Sequence, residues 1–435
     1  MLTVGPAPWR GDAREYLAGA AARIDALEPR VRAFTHLDRA AFDSPAFDSP
    51  AFDSPAFDAP ATSSGPLAGM PIAVKEIIDV AGMPTTFGSA LFADRVPDSD
   101  AESVARLRAA GAVVVGMTTT TPFACGTTTV TDNPRVPGHT PGGSSAGSGA
   151  AVGAGFVPVA LASQSQASTL RPASYCGAWG FVPSHGRLPR GGMHLLSDTL
   201  DDLGVITASL AELTAVFGVL AEPRTTPMLR SNRPRIGVLG LDHGGLPSPR
   251  TSGALDALVR ALSQHFSVDT GTPALVEVDV ELAGSGHACF DLFAGESADV
   301  LAPLVAAGEP DPRLAEMVRH AATIGPSGVD RALVERARLR LVWQELAERH
   351  DVLLSLSTTN PAPHGHATTG CRRMPATASL LGVPALSAPW LTVDGRPQGV
   401  QLIGFEGHDE ELLSAAAAID AVLTPAAPTD LQEIP

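Results

Sequence analysis

Helical and extended periodicities alternate along most of the chain, interrupted once near the N-terminus. Residues 14–28 (REYLAGAAARIDALE) place Leu17, Ala20, Ala21, Ile24 and Leu27 at helical spacing, which predicts an amphipathic helix ended by Pro29. Residues 41–60 then read AFDSP three times and AFDAP once. A proline at every fifth position forbids a continuing helix, and no period of two supports a strand, so this stretch reads as an exposed, disordered insertion. From Leu67 the pattern changes. PIAVKEII is a short apolar run typical of a buried strand, and ESVARLRAAGAVVVG (102–116) reads as a helix, a glycine stop at Gly111 and a second buried strand. Residues 131–149 read as a polar Gly- and Ser-rich loop, and AAVGAGFVPVALAS alternates between small-residue helix and strand character. Further helices are predicted over 207–221, 251–266 and 328–349, and further strands at IGVLG (236–240), DVLLSLS, GVPALSAP and GVQLIGF. Helix-then-strand order of this kind predicts an α/β fold. The expected organisation is an N-terminal helical segment (1–40), the repeat insertion (41–64) and a single catalytic domain (65–435), with 222–350 the least sharply specified part.

Composition narrows the function classes. Thirty Lys and Arg against 46 Asp and Glu give a net charge of −16, which repels phosphate backbones and anionic membranes; no nucleic-acid or membrane partner is expected. Aromatics make up only 5% of the chain, so the core is built from small and branched side chains, as in wide sheets covered by helices. The four cysteines, at 125, 176, 289 and 371, lack any CxxC spacing, which argues against a disulfide scaffold or a structural zinc site. The start of the chain has no basic segment followed by a long apolar core, and a cytoplasmic location is expected.

Three segments bear on chemistry. Lys75 stands alone in PIAVKEII and is either the exposed end of a strand or a buried amine; burial would lower its pKa and free a base near pH 7. PGGSSAGSGAAVGAG (141–155) contains a G-x-S-x-G pattern at Ser145, but a nucleophile elbow needs an apolar strand before it, and DNPRVPGHT cannot form one. A tight Gly-Gly-Ser-Ser turn can instead hold a serine hydroxyl rigidly. ASQSQASTLRPASYCG (162–177) is, by itself, a polar loop with several serines and one arginine.

Together these segments resemble the amidase signature family. GGSSAGS (142–148) and SQASTLRPA (165–173) match its serine-rich motifs, with a strand-borne lysine before both; the spacings are 69 residues from Lys75 to Ser144 and 24 from Ser144 to Ser168. GMPIAVKEIIDVAGMPTTFGS (69–89), RPASYCGAWGFVPSHGRLPR (171–190) and PQGVQLIGFEGHDEELL extend the likeness. The resemblance implies a central mixed, twisted β-sheet covered by helices on both faces. It also implies hydrolysis of a small or medium linear carboxamide, with Ser168 as nucleophile and Ser144, on a cis peptide in that family, relaying its proton to Lys75. Backbone N–H groups of Ser165, Gln166 and Ala167 would form the oxyanion hole, and no cofactor or metal is needed. Arg171 is either a loop arginine paired with a carboxylate or a reader of a carboxylate on the substrate. His139, His185 and His194 have no part in a Ser-Ser-Lys scheme, and Cys125 and Cys176 are expected only to pack. Two departures stand out: Gln166 and Ala167 replace the usual small pair before the nucleophile, and Gln164 replaces a common aspartate. These features resemble the malonamidase-like branch. The alternatives are an amidotransferase A-type subunit or a catalytically decayed amide-binding member, and a homodimer stays open.

Overall fold

The computed structural model describes residues 4–9, 13–43, 65–222, 233–240 and 247–424. The opening helix α1 (Ala13–Val31) runs two residues past Pro29. Proline removes only its own N–H, and the two residues after it keep the helical conformation, so the sequence expectation that Pro29 ends the helix is corrected. Strand β1 (Phe34–Leu37) and the single turn α2 (Ala40–Asp43) follow. The repeat insertion beyond Asp43 lies outside the described residues.

The predicted helix–strand alternation forms one mixed sheet of eleven strands in the order β1-β3-β2-β4-β6-β5-β10-β11-β9-β7-β8. These are β2 (Pro71–Lys75), β3 (Val113–Thr118), β4 (Val159–Gln164), β5 (Trp179–Val182), β6 (Asp202–Thr207), β7 (Arg235–Val238), β8 (Ser267–Asp269), β9 (Val352–Leu356), β10 (Ala385–Val393) and β11 (Arg396–Ile403). β2 lies parallel to both β3 and β4, and β4 is antiparallel to β6. The central strands are buried on both faces. Ile72, Val74, Val159, Leu161, Leu203 and Val205 enter one core, while Ala73, Ala160, Ala162 and Ile206 enter the other. That alternation is why these runs read as continuous apolar stretches.

The second core is lined largely by alanine, and this lets α4 (Ala146–Gly153) lie against the sheet with every residue buried. A Cβ at Gly147 would stand 2.2 Å from the carbonyl oxygen of Ala33 and 2.3 Å from the Thr119 nitrogen, so no larger residue fits. α4 starts inside the stretch read as loop (131–149); its Gly and Ser content serves close packing. On the first core lie α3 (Glu102–Ala109), which ends before Gly111 as expected, and α6 (Leu210–Leu220), with α5 (Leu170–Cys176) buried between elements. The remaining helices are α7 (Pro249–Leu262), α8 (Pro273–Glu281), α9 (Ser285–Ala306), α10 (Pro312–Leu346), α11 (Arg373–Leu381) and α12 (Asp409–Leu423). The helix expected at 328–349 is the second half of α10, which breaks at Gly325–Pro326; α9 had no clear sequence signal. Among the described residues no helix is long and apolar enough to cross a membrane.

Candidate active site

Because β2 and β4 are parallel neighbours, their C-terminal ends open at the same edge of the sheet, the place where ligands bind in α/β folds. Lys75 is the last residue of β2 and is fully buried. Its Nζ lies 2.7 Å from Ser144 Oγ and 2.8 Å from Ser163 Oγ, near the end of β4. Burial pulls the Lys75 pKa down to about 7; Arg171 pulls the same way, and Asp201 and Glu76 oppose. Of the two readings of this lysine, the buried amine holds. Ser163 was missed at the sequence level because 162–177 reads as a polar loop; the structure corrects this, running β4 to Gln164 and folding 170–176 as α5, since tertiary burial overrides the local polarity.

Ser144 arrives on the Gly-Gly-Ser-Ser turn. Gly142 takes φ 91°, and a Cβ there would meet Pro172 Cα at 2.9 Å. The Gly143–Ser144 peptide is cis. Arg171 grips this turn: its Nε donates to the Gly143 carbonyl at 3.1 Å, Nη2 donates to the same oxygen, and Nη1 donates to Gly370 O at 2.9 Å. Arg171 thus pairs with two backbone carbonyls and with no carboxylate among the described residues, which sets aside the loop ion pair. It also lines the cavity described below.

β4 hands over to the loop 165–169, and Ser168 sits there half-buried. The Ser168 carbonyl accepts from Ser145 N–H at 3.3 Å, tying the two serine loops together. Among the described residues the Ser168 hydroxyl has no hydrogen-bond partner, and the backbone N–H groups of Ser165, Gln166, Ala167 and Ser168 are likewise unspent. Neither Gln166 nor Ala167 has a positive φ, so replacing the usual small residues strains no backbone here. Gln164 explains itself. Its Oε1 accepts from Thr169 N–H and Leu170 N–H, each at 3.1 Å, and its Nε2 donates to Ser379 Oγ at 3.0 Å. The amide oxygen thereby does a carboxylate's accepting work at the start of α5. Asp201, also missed from sequence, is buried; it accepts from Ser165 Oγ and from the N–H groups of Leu196 and Ser197 at 2.6 and 3.0 Å, holding the loop from behind.

Ser144, Ser165, Gln166, Ala167, Ser168 and Arg171 share the wall of one cavity of about 690 Å³, large enough for a small organic molecule. Ser145 is absent from that wall and fully buried, in keeping with the rejection of an elbow nucleophile. His139, His185 and His194 do not line it either, whereas Cys125 does. Burial pushes the Cys125 thiol pKa up, which keeps it protonated and a poor nucleophile. The arrangement unites an amine of lowered pKa, a serine hydroxyl bonded to it and, among the described residues, a second serine hydroxyl and four backbone N–H groups without hydrogen-bond partners.

Comparison with known proteins bears on the family and the fold. The family model described as Amidase matches residues 15–274. The A-type subunit of glutamyl-tRNA(Gln) amidotransferase from Thermus thermophilus is 33% identical over 404 residues, covering 82% of this chain and 85% of its own length. The protein of the same name from Synechococcus sp. is 30% identical over 461 residues and covers 93% of each chain. A solved amidase superposes with a TM-score of 0.81 at 26% identity, covering 94% of this chain and 96% of that one. A structure from a vestigial protein complex bearing on the origins of an s-triazine catabolic enzyme gives a TM-score of 0.79 at 29% identity, covering 94% and 95%.

Proposed function

The chain belongs to the amidase signature family of enzymes acting on C–N bonds, and we propose that it hydrolyses a small or medium linear carboxamide through an acyl-enzyme on Ser168. The single observation that carries this reading is the fully buried Lys75 amine, 2.7 Å from Ser144, at a cavity that Ser144 shares with the unengaged Ser168 hydroxyl. A serine hydroxyl is a weak nucleophile until a base takes its proton. Here Ser168 Oγ bonds to the amide carbon, its proton passes to Ser144, and the Ser144 proton passes to neutral Lys75. The carbonyl π-electrons move onto oxygen, where the N–H groups of residues 165–168 receive the charge; losing one such donor typically costs about 3 kcal/mol of barrier. As the intermediate collapses, the C–N bond breaks and the lysine proton returns through Ser144 to the leaving nitrogen. Water then attacks the ester by the same relay, releasing the carboxylic acid and restoring Ser168. Arg171, by gripping the Gly143 carbonyl, positions Ser144 while facing the substrate. No step calls on a cofactor, and the four unpaired cysteines suit a reducing cytoplasm.

The test is covalent. A fluorophosphonate probe is expected to label Ser168, identified by peptide mass, and Ser168→Ala should abolish both label and ammonia release from an amide panel. A folded parent protein that takes no label would refute the scheme and favour a decayed, binding-only protein. The names of the Thermus and Synechococcus relatives support a second reading, a component of an amidotransferase. That reading expects glutamine hydrolysis only when partner proteins are supplied. Turnover of simple amides by the isolated chain separates the two.

A further inference from the structure

The charge on the cavity wall runs against that of the chain. Acidic residues outnumber basic ones 46 to 30 overall, yet among the described residues five arginines (171, 313, 319, 372 and 373) line the cavity, with Glu316 as the sole lining acid. Arg313, in the first turn of α10, donates Nε to the Cys125 carbonyl at 3.0 Å and makes no ion pair among the described residues. The nearby carboxylate of Asp311 is already engaged: it caps α10 through Arg313 N–H at 2.9 Å and accepts from Thr127 N–H and Oγ1 at 2.8 and 2.7 Å. Arg372, just before α11, stacks its guanidinium over Phe290 with Cζ 4.3 Å from the ring centroid, and that guanidinium makes no ion pair or hydrogen bond among the described residues. Burial, with the charges of Arg313 and Arg373 adding to it, lowers the Arg372 pKa to about 10. Arg313 and Arg372 are thus two guanidinium charges that act on one another, neither ion-paired among the described residues, and a bound anion would offset their repulsion. Arg171 is less suited to the task, since each of its three nitrogens already donates one N–H to a carbonyl oxygen, which fixes the fork on the backbone and leaves one N–H on each terminal nitrogen.

We propose that the substrate is an amide bearing an oxyanion, held by the planar forks of Arg313 and Arg372 in the cavity that Ser168 also lines. Planar guanidinium groups bind carboxylates and phosphonates in paired hydrogen bonds, and Phe290 fixes the plane of one of them. This narrows the amidase reading and rests on it, and it moves the expected anion reader from Arg171 to Arg313 and Arg372.

The experiment compares kcat/KM for butanamide, succinamate and 3-phosphonopropanamide in the parent, Arg313→Gln and Arg372→Gln. The parent should prefer an anionic amide over butanamide by about tenfold or more, the scale of hydrogen bonds to charged groups. Each variant should lose most of that preference, and 0.5 M salt should shrink it in the parent. The larger of the two anion preferences identifies the natural group. Binding is read separately, by calorimetry with glutarate on Ser168→Ala protein, with and without Arg313→Gln or Arg372→Gln. Glutarate binding that Arg372→Gln abolishes supports the anion site even if no amide is turned over, in which case only the hydrolytic reading fails. Equal use of neutral and anionic amides, or glutarate binding indifferent to both arginines in protein that melts normally, overturns the proposal.

Discussion

The pH profile should be governed by Lys75. With its pKa near 7, about half of the amine is neutral at pH 7, about one-tenth at pH 6 and about one-hundredth at pH 5. An unperturbed lysine near 10.4 would be neutral in only a few molecules per ten thousand at pH 7, so burial raises the available base roughly a thousandfold. kcat/KM, measured as ammonia release at low substrate, is expected to rise tenfold per pH unit below 7 and to level off above 8. Glu76, whose charge raises the Lys75 pKa, offers a directional check: Glu76→Gln should move the acid limb to lower pH. The same shift couples to folding. The folded amine releases its proton near 7 while the unfolded one keeps it to about 10.4, so the cost of burying an ammonium is full below pH 7 and fades as pH rises between those values. That cost is on the order of 5 kcal/mol, working from about 1.4 kcal/mol per pKa unit. Lys75→Met removes it, so the variant's stability relative to the parent should be most favourable at pH 6 and should worsen steadily toward pH 10. Unfolding midpoints of both proteins measured across that range provide the check, since other titrating groups cancel in the difference. A flat activity profile from pH 5 to 9, or an acid limb above pH 9, would refute a buried lysine base.

Three further outcomes follow from the contacts around it. Arg171→Met leaves the Gly143 and Gly370 carbonyls without their donor; we expect a loss of about 1–3 kcal/mol in unfolding free energy and a fall in kcat larger than any rise in KM, seen by denaturant titration and steady-state kinetics. Gln164→Asp should be tolerated because a carboxylate can still accept from Thr169 and Leu170 N–H, whereas Gln164→Leu strands two buried donors and should cost about 2–5 kcal/mol. Gly147→Ala drives a methyl into the Ala33 carbonyl and should destabilise the protein by several kcal/mol or prevent soluble expression, while Ala151→Gly on the same helix should cost only about 1 kcal/mol plus its small packing loss. Melting temperatures measured side by side separate the two effects.

Much of the α/β framework was legible because it is written in local periods. The run ending at Lys75, the helix–glycine–strand unit over 102–116 and the three C-terminal strands each bury alternate or successive residues, and that burial leaves its mark on the order of side chains. The motifs around Ser144 and Ser168 were legible as resemblance, since closely packed glycines and serines restrict what can stand beside them. Other features were not local. Pro29 sits where a lost hydrogen bond is tolerated, α4 hides in a stretch that composition reads as loop, and α9 follows no clean period. The partnership of Ser163 with Lys75, the grip of Arg171 on Gly143 and the support of Ser165 by Asp201 all join residues far apart in the chain. By itself, then, the order of residues determined the elements and the candidate reacting groups, because backbone geometry and burial act over a few neighbouring positions. Only the tertiary structure decided which groups meet, how far burial shifts the lysine, and that the cavity wall is positive in an acidic protein, because distances and desolvation exist only once the sheet has brought its strand ends together.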